Sequence, residues 1–196
     1  DPEQNRLRRG ANDPMISPDV VTWGISALGT EALNSIEKDL AEKLLDQIET
    51  CCVSEIIYVT DRGRHIPVRG VDFIDRETAW TLGREPTISP EWTFQLCNTY
   101  KRMADDHTQK GQHDKAKEYS MQRKELLKEM TKLIKITPEG YGYPYSTLGD
   151  IPIGHEYNTP EAGNLSIIGA TYGILAFEGY DPLVFPKRKK TGKNKN

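Results

Sequence analysis

Gly140-Tyr141-Gly142-Tyr143-Pro144-Tyr145-Ser146-Thr147 opens the stretch on which the reading of this chain turns. It runs on through Ile151-Pro152-Ile153-Gly154-His155-Glu156-Tyr157-Asn158-Thr159-Pro160 and closes on a small-residue-rich apolar segment at 167–180. An aromatic loop punctuated by glycine and proline, followed by a helix-forming run, gathers polar and aromatic side chains at one helix mouth. That is how a binding site is built.

Working outward, Thr159-Pro160-Glu161 carries the signals of a helix start: a hydroxyl to cap, a proline with preset φ, and an acid against the positive end of the dipole. The same signal stands at Ser89-Pro90-Glu91 and at Ser17-Pro18-Asp19, spaced by 72 residues (17 to 89) and 70 residues (89 to 159). Each interval reads as helix, helix, extended loop. The first predicted helix ends at Leu28 before Gly29, and the next spans 31–52 with Leu33, Ile36, Leu40, Leu44, Leu45 and Ile48 at helical spacing. The β-branched run at 55–60, the turn Asp61-Arg62-Gly63-Arg64 and His65-Ile66-Pro67-Val68 predict a hairpin. Further helices are expected at about 90–106, 114–134 and 165–177, with a loop through Asp72 and Trp80.

The connecting loops echo one another, since Ile66-Pro67-Val68-Arg69-Gly70-Val71-Asp72-Phe73 parallels Ile151-Pro152-Ile153-Gly154-His155-Glu156-Tyr157 with one residue dropped. Thr22-Trp23-Gly24-Ile25-Ser26-Ala27-Leu28-Gly29 parallels Thr171-Tyr172-Gly173-Ile174-Leu175-Ala176-Phe177-Glu178-Gly179. A unit of two helices cannot bury its apolar face alone and stacks on neighbours. Gly169, Ala170, Gly173 and Ala176 suit a closely packed inner helix, and the charged 114–135 segment an outer one. The expected fold is therefore all-α: an α/α toroid or helical-hairpin repeat of about two and a half units, with short β-hairpin loops at one end. Residues 1–186 form this repeat domain, and the basic 187–196 is a disordered tail. Because residues 8–14 resemble the end of an earlier loop, the chain reads as the C-terminal part of a larger toroid or one partner in an assembly.

These motifs bear a family resemblance. Ser89-Pro90-Glu91-Trp92-Thr93, a helix pair, Gly142-Tyr143-Pro144-Tyr145-Ser146-Thr147, then Gly154-His155-Glu156-Tyr157-Asn158-Thr159-Pro160 and a helix ending Gly179-Tyr180-Asp181-Pro182-Leu183 look like the C-terminal end of bacterial α/α-toroid proteins. The resemblance covers roughly residues 85–185. It implies an activity of the glycoside hydrolase, polysaccharide lyase or sugar epimerase type.

Composition narrows the field. The chain of 196 residues has 36% hydrophobic and 28% charged residues and a formal net charge of -3, which argues against a general nucleic-acid binder. No apolar run approaches the ~20 residues of a membrane helix. Cys51, Cys52 and Cys97 are odd in number and two are adjacent, so they read as reduced thiols, which favours the cytoplasm; an export signal upstream of residue 1 would change that. Zinc spacing, a phosphate-binding glycine loop and a nucleophile elbow are missing, so no metal or cofactor is implied.

Two carboxylates in equivalent loops, Asp72 and Glu156, are the candidate catalytic acids for a glycosidic bond, one protonating the leaving oxygen while the other activates water or attacks. The alternative is that each caps a helix or pairs with an arginine such as Arg69 or Arg76. His155 is a candidate proton relay, or else a hydrogen-bonded structural histidine; His65, His107 and His113 read as solvated. Tyr141, Tyr143, Tyr145 and Tyr157, with Trp92, are candidate substrate-binding rings on which a sugar's C–H face would stack, or they fill space between loop and helix ends. Alternation puts Tyr141, Tyr143 and Tyr145 on one face of an extended strand. Glu91 and Asp19 read as partners of the helix dipole rather than catalysts. The expected partner is a carbohydrate. The rival reading is a non-catalytic assembly subunit whose loops bind another protein chain or the upstream part of the toroid.

Overall fold

The computed structural model describes residues 6–10, 13–138, 140–154 and 156–184. Among them are six helices and two small antiparallel sheets, in the order α1 (Pro18–Ile36), α2 (Leu40–Cys51), β1 (Val53–Val59), β2 (His65–Val71), α3 (Arg76–Thr81), α4 (Pro90–Gln109), α5 (His113–Thr131), β3 (Lys135–Thr137), β4 (Gly140–Gly142) and α6 (Ile167–Glu178). The fold is mixed α/β. The all-α toroid expectation is corrected.

Two physical facts overturn it. The β-branched segments pair into ladders, β1 with β2 from Val53↔Val71 to Val59↔His65, and β3 with β4 from Lys135↔Gly142 to Thr137↔Gly140. The third helix start also fails. The Thr159 hydroxyl is taken up inside its own loop, accepting from the Ile151 N–H and lying 3.3 Å from the Leu148 carbonyl, while its N–H donates to Ile151 O at 2.8 Å. The chain runs irregularly to Ser166, whose hydroxyl accepts from the Gly169 N–H and caps α6. The helix expected over 165–177 is present as α6, but Ser166 and not Thr159 starts it, so the three starts do not share one spacing.

Three helices run side by side in the same direction. Along α1 and α4, Thr22 O accepts from Thr99 Oγ1 and the Thr30 N–H donates to Asp106 Oδ2, so residue numbers rise together. Along α6 and α4, Gly169 lies against Glu91, Gly173 against the Phe94 ring and Gly179 against Lys101. The helix α2 runs the other way, since its Glu42 faces His107 while its Glu49 accepts from Tyr100 at 2.7 Å. The helix α5 folds back on α4 through the turn at Gly111. A core of Ile25, Leu33, Leu44, Leu45, Ile48, Leu96, Tyr100, Met103 and Leu126 fills the space between them.

Several local expectations change in the same way. The stop at Gly29 is real, with φ 75°, but α1 resumes beyond it, and a Cβ there would lie 2.2 Å from Arg102 Nη2. The helix expected over 31–52 is divided at Asp39, which stands at left-handed φ 58° as the N-cap of α2. As an inner helix α6 would bury its large side chains; instead it buries Gly169, Gly173 and Ala176, with Ile167 at 85% and Ile174 at 66% exposure. Its glycines let its backbone reach α4, and the bulky residues are left outside. The tail 187–196 lies outside the described residues.

Candidate functional site

The N-termini of α1, α4 and α6 share one end of the molecule, and the loops around 13–17, 72–75, 84–89 and 143–166 fold over that end. Arg84 is the tie. Its Nη2 lies 2.6 Å from Asp72 Oδ1, its Nη1 2.8 Å from Asp72 Oδ2, and its Nε donates to Pro152 O at 2.7 Å. Asp72 accepts in addition from the Phe73 and Thr87 N–H groups. Asp75 joins the approach to α1 to the same cluster, accepting from the Ile16 N–H at 3.2 Å and donating its own N–H to Ile16 O. Thr147 ties the long loop to the start of α4, its N–H donating to Ile88 O and its hydroxyl accepting from the Ile88 N–H.

At that end, Asp19 and Glu91 occupy the same position of two parallel helices, each directly after the initial proline. Asp19 Oδ1 accepts from the Ser17 hydroxyl and the Val20 N–H. Glu91 is half-buried. Burial, and then the neighbouring Asp19 charge, push its carboxyl up to about 7. The Glu91 charge also reaches two tyrosines. Burial raises the Tyr145 and Tyr172 hydroxyls, with Glu91 adding to both, and the Trp23 indole N–H acts against the rise at Tyr172. Phe73 backs this wall, stacked on Tyr145 at 5.7 Å and edge-on to Trp92 at 5.1 Å.

The residues singled out in the sequence go to different places. Asp72 is buried with all its oxygens engaged by Arg84 and backbone N–H groups. Glu156 is exposed, in left-handed backbone at φ 62°. His155 lies outside the described residues. The three alternating tyrosines do not share a face: Tyr141 is 79% exposed at the tip of β4, Tyr143 is buried edge-on to Phe94 at 5.0 Å, and Tyr145 stacks on Phe73. The strand stops at Gly142, so the alternation has no ladder to hold it. Tyr157 is exposed and Trp92 is half-buried. His65 and His113 are exposed as expected, but His107 is buried, stacked on Tyr119 at 5.4 Å with Glu42 3.4 Å away.

No known protein family, curated protein or solved structure matches this chain. Glu91, Asp19, Tyr172 and Trp23 are the residues that sequence reasoning passed over as site-forming. A signal for the acids was present, because equal positions in equivalent helix starts come together when the helices are parallel neighbours.

Cys51, Cys52 and Cys97 are all free thiols. Among the described residues no cluster of three or more His, Cys, Asp or Glu side chains is placed to hold a metal ion, and no helix is long and apolar enough to cross a membrane. On the far side of α6, Ile134, Tyr141, Ile174 and Phe177 line an apolar groove between that helix and the β3–β4 hairpin.

Proposed function

We propose that the protein binds a carbohydrate at the end of the molecule where α1, α4 and α6 begin, and that it hydrolyses a glycosidic bond there. The observation carrying this reading is the juxtaposition of Glu91 and Asp19, two carboxyls at matching positions of parallel helices, with the Glu91 charge acting on the Tyr145 and Tyr172 hydroxyls. Tyrosine and tryptophan faces suit the C–H faces of a sugar ring, and carboxyls hydrogen-bond its hydroxyls. Glu91, protonated near neutrality, supplies the proton that the leaving glycosidic oxygen takes as the C–O bond breaks. Asp19 takes the proton of the water that adds to the anomeric carbon, so the two acids perform opposite halves of one hydrolysis. Asp72 is left with a structural task, fixing the loops that frame the cleft.

The test combines thermal shift with release of reducing ends over a glycan panel. Wild-type protein should be stabilised by at least one glycan and cleave it, while Glu91→Gln keeps the stabilisation and loses turnover about a hundredfold or more. A panel in which nothing raises the melting temperature removes the carbohydrate reading.

A second reading, association with another copy of the chain, is favoured by the apolar outer face of α6 around Ile174 and Phe177. Sedimentation velocity should then find self-association that rises with concentration and that Ile174→Glu abolishes. A monomer at every concentration reached removes it.

A further inference from the structure

Ala170, Ile174 and Phe177 recur at the i, i+4, i+7 spacing of one face of α6, and Ile136 and Tyr141 are cross-strand partners in the β3–β4 hairpin beside it. Between helix and hairpin lies a groove of about 470 Å³, lined by Ile134, Tyr141, Tyr143, Ile174, Phe177 and Glu178. Small residues give it depth, because Gly142, Ala170 and Gly173 bring backbone and at most a methyl group to the lining. Tyr141 is 79%, Ile174 66% and Phe177 47% exposed, so the walls are open to solvent. Apolar walls left open in this way mark a binding surface.

Three of the lining residues are aromatic. Phe94 supports two of them from the core, edge-on to Tyr143 at 5.0 Å and tilted against Phe177 at 6.0 Å. The lining carries one charge, that of Glu178, and no basic residue. Glu178 makes no ion pair among the described residues, because the cations near it are engaged elsewhere. Lys101 and Arg123, which approach the neighbouring Gly179, bind Asp105 and the Ala176 carbonyl, and Lys135, between Ile134 and Ile136, turns to Asp61. Glu178 also closes α6, at the negative end of the helix dipole, with no basic side chain in the last turn.

Aromatic walls around a lone carboxylate select by charge. An anion is repelled, and a neutral apolar molecule leaves the carboxylate unanswered. A metal ion needs more donors than one acid, and among the described residues no cluster supplies them. A primary ammonium would lose hydrogen bonds to water that these walls do not replace. A quaternary ammonium has no N–H to satisfy and is attracted by ring faces.

We propose that this groove binds an organic cation of the quaternary ammonium class that carries an apolar arm, its head among the rings and the Glu178 carboxylate and its arm along Ile134 and Ile174. The groove exceeds the ~300 Å³ at which ligand pockets begin, so it takes more than a bare head group. None of its lining residues belongs to the Glu91 cluster, so it stands or falls apart from the carbohydrate reading. It gives the face around Ile174 and Phe177 a small-molecule occupant in place of another copy of the chain, and the two exclude each other.

The experiment titrates the protein with choline, with choline's neutral carbon isostere, with benzyltrimethylammonium and with benzoate, followed by calorimetry and by the proton resonance of the N-methyl groups. Choline should bind about tenfold or more tightly than its isostere, benzyltrimethylammonium about tenfold more tightly again, and benzoate not at all. Ring faces around the head should move the N-methyl resonance upfield, which attraction to a carboxylate alone does not do. Glu178→Gln and Tyr141→Leu, both at exposed positions, should each weaken benzyltrimethylammonium about tenfold and leave the melting temperature of the free protein unchanged. No binding, equal affinity for choline and its isostere, an unmoved N-methyl resonance, or an affinity that either variant leaves unchanged overturns the proposal. Self-association that Ile174→Glu abolishes and that benzyltrimethylammonium does not weaken assigns the face to a second copy and also overturns it.

Discussion

Arg84 holds Asp72 in a two-point grip inside the protein, with Nη2 2.6 Å from Oδ1 and Nη1 2.8 Å from Oδ2 and the two side chains only 4% and 3% exposed. A planar guanidinium matches a carboxylate in this way, and lysine cannot. The pair joins the segment after β2, the approach to α4 and, through Pro152, the long loop before α6. Removing one partner leaves a buried charge uncompensated. Arg84→Met should therefore lower stability by about 3–5 kcal/mol in urea unfolding. Arg84→Met combined with Asp72→Asn should cost less than the sum of the two. Additive losses would mean the pair is not the unit the geometry implies.

Glu91 gives stability a pH dependence of known sign. Its carboxyl stands at about 7 in the folded protein against an ordinary 4.5, so the folded state binds the proton more tightly. The resulting stabilisation is complete below pH 4.5 and is lost as pH rises through about 7. Half-burial and solvent screening hold it to about 1–2 kcal/mol. The difference in unfolding free energy between wild type and Glu91→Gln should shift by that amount between pH 4.5 and pH 8, wild type losing ground as pH rises; a flat difference rejects the shifted carboxyl.

Gly173 sets how closely α6 meets α4. A Cβ there would lie 3.1 Å from Phe94 Cε2 and 3.2 Å from Tyr143 Cε2, tight but against rings that can yield slightly. Gly173→Ala should be nearly neutral, since the gain in helix propensity offsets the crowding. Gly173→Leu should cost about 1–3 kcal/mol by forcing the helices apart. Equal melting temperatures for the two variants would place α6 away from α4.

The three thiols should react in order of burial. Burial raises all three, Cys97 up to about 12 and Cys52 further still, while Cys51 is only half-buried. Because the thiolate is the reactive form, a disulfide reagent should modify Cys51 first in the native protein and reach Cys52 and Cys97 only on unfolding. Three equally fast thiols in the native state would contradict this packing.

Much of the local structure was legible along the chain. Ser89-Pro90-Glu91 starts α4, Gly111 ends it, and the β-branched run around Ile56 pairs across the turn at Gly63, because caps, glycines and β-branched side chains act within a few residues of themselves. The same logic misread Thr159-Pro160-Glu161, where the threonine hydroxyl had a competing claim from Ile151 and Leu148 eight and eleven residues away. It also misread the tyrosines of the aromatic loop, since alternation assigns faces only while a ladder continues, and β4 ends at Gly142.

The carboxylates singled out in the sequence are not the ones the fold sets side by side. A cluster of carboxylates and aromatic rings at the mouth of a helix was expected, but Asp72 was chosen over Glu91. Both follow turn or loop segments, and nothing in the sequence states that Arg84, twelve residues on, closes over one of them while the other is half-buried beside Asp19.

The amino-acid order alone determined the starts of α1 and α4 and the β1–β2 hairpin, because caps, turns and β-branched runs depend on neighbours within a turn or a pleat. Which carboxyl is gripped by an arginine, which is half-buried beside another acid, and which amide is buried without a partner were decided by how distant segments pack. Burial and charge proximity are properties of groups far apart in the chain, and they exist only once the chain has folded.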